Sequence, residues 1–88
     1  MSTKSFPLTL EELRRVADEY GTPFHIYDEQ GIHDGVKRLQ NAFAWNKNFF
    51  EYFAVKATPN PWIMDSLKNI NVGADCSSLA ELALSEAV

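Results

Sequence analysis

The sequence predicts an α/β chain organised around a strand–helix–strand crossover, and three observations carry that expectation. Phe49, Phe50, Tyr52, Phe53, Ala54 and Val55 form a nearly continuous aromatic and apolar run, the pattern of a strand buried on both faces of a parallel sheet. Asn60-Pro61 then reads as a helix start, with a capping side chain followed by proline at the first helical position. A second short run, Val72 to Asp75, follows that helix. A crossover of this kind makes the two strands parallel and the connection right-handed.

The elements can be justified in order along the chain. Thr9 with Glu12 three residues later is a capping box, and Leu10, Leu13, Ala17 and Tyr20 then recur at helical spacing up to Gly21. Thr22-Pro23 turns the backbone away from helix. Phe24 to Tyr27 alternates in character and predicts a short strand. Asp28 caps a second helix with the apolar stripe Ile32, Val36, Leu39 and Phe43. Gly31 and Gly35 weaken that helix by about 1 kcal/mol each relative to alanine, so it depends on packing. The strand predicted over 49–55 stops at Lys56, and Ala57-Thr58-Pro59-Asn60-Pro61 is a rigid loop. Ile63, Met64, Leu67 and Ile70 predict a helix over 61–70, and the next strand covers 72–75. Ser78 and Glu81 form a second capping box, opening a fourth helix with Leu79, Leu82 and Ala83 directed inward.

Composition narrows the function classes. Eighty-eight residues make one small domain at most, and a single cysteine excludes a disulfide framework. Twelve acidic residues against eight basic ones give a net charge of −4, which argues against nucleic acid or an anionic membrane as partner. No apolar run approaches the ~18 residues of a membrane helix, and Met1 to Leu8 lacks the core of a signal peptide. A lone thiol without an export signal points to the cytoplasm. Two parallel strands cannot be covered on both faces by these helices. The chain therefore reads as the opening portion of a larger α/β fold, with apolar surface around Leu79, Leu82 and Ala83 left exposed when it stands alone.

Lys56 is the first candidate for chemistry. It ends an apolar strand at the C-terminal edge, where α/β sheets and barrels build their sites. An apolar setting disfavours the ammonium form and makes the amine a better nucleophile; the ordinary alternative is a strand-end lysine reaching into solvent. Asp75 ends the second strand on the same edge, about 4.8 Å away if the strands are neighbours, and could orient the amine or shuttle its proton, or be a plain turn aspartate. For Glu81 the capping box suffices, and any catalytic role is additional. His25 and His33 lack a second ligand at metal spacing and take structural or surface roles. Cys76 is a small buried residue, and Trp45 and Trp62 serve packing. There is no glycine-rich phosphate loop.

Three blocks carry a family resemblance. Phe53-Ala54-Val55-Lys56-Ala57-Thr58-Pro59-Asn60-Pro61 resembles the cofactor-lysine motif of the fold-type III pyridoxal-phosphate decarboxylases, and within them diaminopimelate decarboxylase, with Thr58 where that family usually has asparagine. Gly73 to Leu82 resembles the family's next strand and helix, and Thr22 to Asp28 its N-terminal segment. The resemblance implies a two-domain enzyme. Residues 29–88 would open a pyridoxal 5′-phosphate-binding (β/α)8 TIM-type barrel, a fold of about 250 residues. Residues 1–28 would contribute a helix and a strand, the strand belonging to the β domain of the full enzyme. Lys56 would carry the cofactor, and Asp75 and Glu81 would line its pocket. The implied reaction converts meso-diaminopimelate, a small amino-acid substrate, to L-lysine and carbon dioxide in a homodimer. Ornithine or arginine would be alternative substrates. A different class of protein, a non-catalytic barrel piece serving as an interaction module, also fits the incomplete barrel. The isolated 88-residue chain is expected to be inactive.

Overall fold

Thr9 and Glu12 close the first helix in both directions. The Thr9 hydroxyl accepts the Glu12 amide at 3.1 Å, and the Glu12 carboxylate accepts the Thr9 amide at 2.8 Å. In the computed structural model, which describes residues 3–88, this box opens α1, Leu10–Tyr20. The Thr9 backbone amide foremost, with the Thr9 side chain and Arg15, holds the Glu12 carboxyl below its ordinary range. Gly21, at φ 76, stops the helix in a conformation that a side chain would strain. No residue of α1 is buried, and Leu10 and Tyr20 are largely exposed.

The strand expected at 24–27 is absent: these residues are unpaired coil. The alternation is present in the sequence, but a strand needs a neighbour to receive its amides and carbonyls. Among the described residues the sheet has two strands, and neither borders this segment.

Asp28 caps α2, Glu29–Ala42, by accepting the Gly31 amide at 3.1 Å. A Cβ at position 31 would lie 2.6 Å from Asp28 Oδ2, so any side chain there must displace the capping carboxylate. Val36 is the buried residue of α2 and meets Leu67 and Val72 in the core, with Ile32, Phe53, Ile63 and Ile70 packed around them. Each Val or Leu side chain so buried contributes about 1.5–3 kcal/mol.

The strand expected over 49–55 is shorter and less covered than its composition suggests. β1 is Tyr52–Ala54, and Val55–Ala57 is a turn of 3₁₀ helix. Val55 is fully buried, whereas Phe50 and Tyr52 are more than half exposed, so one face of β1 has no cover. Asn60 then accepts the Trp62 amide at 3.0 Å, and Pro61 begins α3, Pro61–Lys68. The helix buries Met64, Ser66 and Leu67. Asn71, at φ 63, turns the chain into β2, Gly73–Asp75; asparagine tolerates that left-handed position better than most residues.

β1 and β2 are parallel neighbours, with Tyr52 opposite Gly73, Phe53 opposite Ala74 and Ala54 opposite Asp75. The strand–helix–strand expectation therefore holds. Gly73 lies against the Tyr52 and Phe50 rings, where a Cβ would be 2.8 Å from the nearer one. What the structure contains is a small α/β unit with a two-stranded parallel sheet; a closed barrel is not part of it.

Ser78 caps α4, Leu79–Ala87. The face of α4 differs from expectation. Leu79, Leu82 and Ala83 are exposed, while Glu81, Leu84, Ser85 and Val88 are half-buried. The exposure expected around Leu79, Leu82 and Ala83 is thus observed, and their inward placement is not. A nine-residue helix with leucine and alanine on several sides carries little directional signal, so packing against α3 sets its rotation.

Candidate functional site

The pairing register fixes where the candidate residues stand. Ala54 and Asp75 are partners at the C-terminal ends of β1 and β2, so both strands finish at one edge of the sheet. Lys56 lies two residues beyond Ala54, in the 3₁₀ turn. Its neighbour Val55 is fully buried, and the turn leaves Lys56 itself exposed. The apolar setting expected around the amine is therefore not observed, because the turn buries Val55 and leaves the lysine in solvent. Among the described residues Lys56 makes no hydrogen bond or ion pair, and none joins it to the exposed Asp75.

Glu81 comes to the same end of the unit through the short connection Cys76-Ser77-Ser78. Its amide donates to Ser78 Oγ at 3.2 Å, and Ser78 Oγ donates in turn to Glu81 Oε2 at 2.7 Å. The carboxylate thus takes the serine hydroxyl instead of the serine amide, and the box is only half of the expected one. Glu81 Oε1 is buried and has no hydrogen-bond partner among the described residues. A buried carboxylate oxygen without a donor costs about 1–3 kcal/mol, so this atom has unused accepting capacity beside the strand edge. Lys56, Asp75 and Glu81 together offer one free amine and two carboxylates at one end of the sheet. Such a set can attack a carbonyl carbon, hold a cation and move a proton.

An apolar cavity of about 190 Å³ lies between the sheet and helices α3 and α4, walled by Phe53, Val55, Met64, Leu67, Val72 and Val88. Its wall contains none of the three candidates, so the chemistry-bearing side chains stand on an open edge. Cys76 is half-buried, with Sγ 3.2 Å from Ser85 Oγ. His25 is exposed. Trp45 and Trp62 are more exposed than a packing role requires, at 78% and 82%. Among the described residues no cluster of three His, Cys, Asp or Glu is placed to hold a metal, and no helix is long and apolar enough to cross a membrane.

One polar group escaped the sequence reading. His33 Nε2 lies 2.7 Å from Ser66 Oγ, which donates to Glu29 Oε1 at 2.9 Å. A signal was present: Ser66 interrupts the apolar stripe of α3, and a buried hydroxyl requires a partner.

The chain is thus an α/β unit with a lysine and two carboxylates at the C-terminal edge of its parallel strands. Comparison with known proteins gives that description a context. It is 48% identical over 81 residues to protein TabA of Pseudomonas amygdali pv. tabaci, a match covering 92% of this chain and 18% of that protein. It is 37% identical over 68 residues to a diaminopimelate decarboxylase of Methanothermobacter thermautotrophicus, covering 76% of this chain and 16% of that protein. A diaminopimelate decarboxylase of Deinococcus radiodurans is 34% identical over 80 residues, covering 91% of this chain and 20% of that enzyme. The chain spans about a fifth of the length of these curated relatives. No family model matches it, and no solved structure does.

Proposed function

We propose that this chain supplies the opening of the cofactor-binding barrel of a pyridoxal-phosphate-dependent amino-acid decarboxylase acting on meso-diaminopimelate to yield L-lysine. In this proposal residues 29–88 begin the barrel, residues 1–28 reach toward a β domain, and the whole enzyme is a cytoplasmic homodimer. The observation that supports it most is the arrangement at the sheet edge: an unpartnered lysine just beyond β1, an aspartate ending β2, and a glutamate with one unsatisfied buried oxygen. The similarity to several diaminopimelate decarboxylases, at 30–38% identity, supports the lyase class. The exposed face of β1, with Phe50 and Tyr52 uncovered, is consistent with a sheet that continues in the whole protein.

The residues present fit the reactive end of the cofactor, since a free primary amine is what binds an aldehyde and Glu81 Oε1 lacks a donor. Lys56 Nζ would hold the group covalently. When bound, pyridoxal phosphate supplies an electron sink for the pair left on the α-carbon as carbon dioxide departs. Asp75, ending the neighbouring strand, would orient the Lys56 amine and exchange a proton with it in the whole protein. Once displaced from the group by the substrate's own amine, Lys56 Nζ would deliver that proton to carbon. Glu81 Oε1, which has no donor of its own, would accept a hydrogen bond from the group that Lys56 holds.

In a second reading the same chemistry acts on ornithine or arginine; the 48% identity to protein TabA, whose name states no activity, assigns no substrate. Borohydride reduction of the full-length protein loaded with pyridoxal phosphate tests the site directly. The cofactor mass should appear on the peptide containing Lys56, and Lys56→Ala should lose both that label and decarboxylation. A label and turnover that survive Lys56→Ala would overturn the assignment. Turnover of meso-diaminopimelate against ornithine and arginine then decides the substrate.

A further inference from the structure

Glu29, His33 and Ser66 hold the residue types of an acyl-transfer triad, yet their proton order is the reverse of one. Ser66 is buried in the middle of α3, at 9% exposure, and a serine hydroxyl has a single proton. At 2.9 Å from Glu29 Oε1, that proton is donated toward the carboxylate. If it turned instead toward His33, Ser66 Oγ and Glu29 Oε1 would face each other at 2.9 Å with lone pairs only, a repulsive contact in a partly desolvated site. His33 Nε2, 2.7 Å from the same oxygen, must then be the donor. The Glu29 carboxylate, 3.9 Å from His33 Nε2, favours a proton on that nitrogen as well. The other acid walling the cleft beside His33 is Asp34, and it is occupied by Gln30 Nε2 at 2.9 Å. Among the described residues His33 Nδ1 has no partner.

We propose that these three residues form a proton-ordered clasp between α2 and α3, with His33 fixed as the tautomer protonated at Nε2 and Ser66 excluded as a nucleophile. Nε2–H donates to Ser66 Oγ and the Ser66 hydroxyl donates to Glu29 Oε1, so the hydroxyl is pinned at both ends. A nucleophilic serine needs the opposite, an imidazole nitrogen free to accept its proton. What the clasp does instead is seat α3. It joins positions 29 and 33 of one helix to position 66 of the other, beside the apolar contacts of Val36 with Leu67. His33 and Ser66 are positioning residues. They hold the helix that begins at Pro61, immediately after the loop leading from Lys56.

Two-bond proton–nitrogen correlation spectra of the ¹⁵N-histidine-labelled full-length protein test this without any assay of activity. His33 should show the pattern of the Nε2-protonated ring, with its Nε2 proton slow enough to observe. Ser66→Ala should lose that proton signal to exchange, and Ser66→Thr, which keeps a hydroxyl, should retain it. Glu29→Leu lies at a site whose side chain is 70% exposed, so it should leave the fold intact. By freeing the serine proton, it should move part of the His33 population to the Nδ1-protonated form. An Nδ1-protonated ring in the unaltered protein would overturn the clasp. So would an Nε2 proton equally slow to exchange in Ser66→Ala.

Discussion

The two capping boxes share a four-residue pattern and end in different chemistry. At Thr9–Glu12 both halves are satisfied, each side chain taking the other residue's amide. At Ser78–Glu81 the serine hydroxyl does double duty, accepting the Glu81 amide and donating to Oε2, and Oε1 is buried without a donor. The first acid is spent on its helix, which buries no residue of its own. The second has an oxygen left over at the edge where Lys56 and Asp75 stand. A serine or threonine with glutamate three residues on therefore reports where a helix begins, and the hydrogen-bond inventory of the acid reports whether it is free for something else.

The sharpest way to break that contrast is Glu81→Gln in the full-length protein. Glutamine keeps an oxygen for Ser78, so helix content should not change, while turnover should fall on the order of 10²-fold if Oε1 serves the reaction. Unchanged turnover would make the two boxes equivalent. Thr9→Ala and Ser78→Ala come next, each costing about 1 kcal/mol of helix stability in denaturant titrations. Only Ser78→Ala should also change turnover, since it releases Glu81 Oε2; equal effects of both on turnover would erase the distinction. The smallest effect concerns pH. Because the Glu12 carboxyl is held below its ordinary range in the folded chain, the cap contributes fully above the unfolded-state value. It is lost as pH falls through the lowered folded value. The Thr9 amide should lose exchange protection over that acid range, and Glu12→Gln should abolish the pH dependence.

The legible parts of the molecule were those with local causes. Thr9, Asp28, Asn60-Pro61 and Ser78 each act within four residues, and each opens its helix where expected. The parallel pairing was legible too, because two short apolar runs joined by one helix leave few alternatives. Phe24 to Tyr27 misled because alternation describes a strand's faces and says nothing about its neighbour. The 49–55 run misled in length, since the aromatic residues Phe50 and Tyr52 cover Gly73 while remaining open to solvent. For the site, the shared edge of Lys56 and Asp75 followed from strand direction alone. The exposure of Lys56 did not, because it depends on a 3₁₀ turn that buries Val55 in its place. The His33–Ser66 contact spans 33 positions, and no periodicity within either helix encodes it.

Gly31 shows how one cap constrains the order in which the sequence can change. In an ordinary helix interior, glycine to alanine is favourable by about 1 kcal/mol. Here the new methyl would meet Asp28 Oδ2 at 2.6 Å and displace the side chain that caps α2. Loss of that cap costs a similar amount, so the two effects nearly cancel while Asp28 is present. Once Asp28 is alanine, the same substitution regains its full benefit. The two positions are epistatic: a lineage that gives up the cap first finds a stabilising step at 31, and one that keeps it finds none.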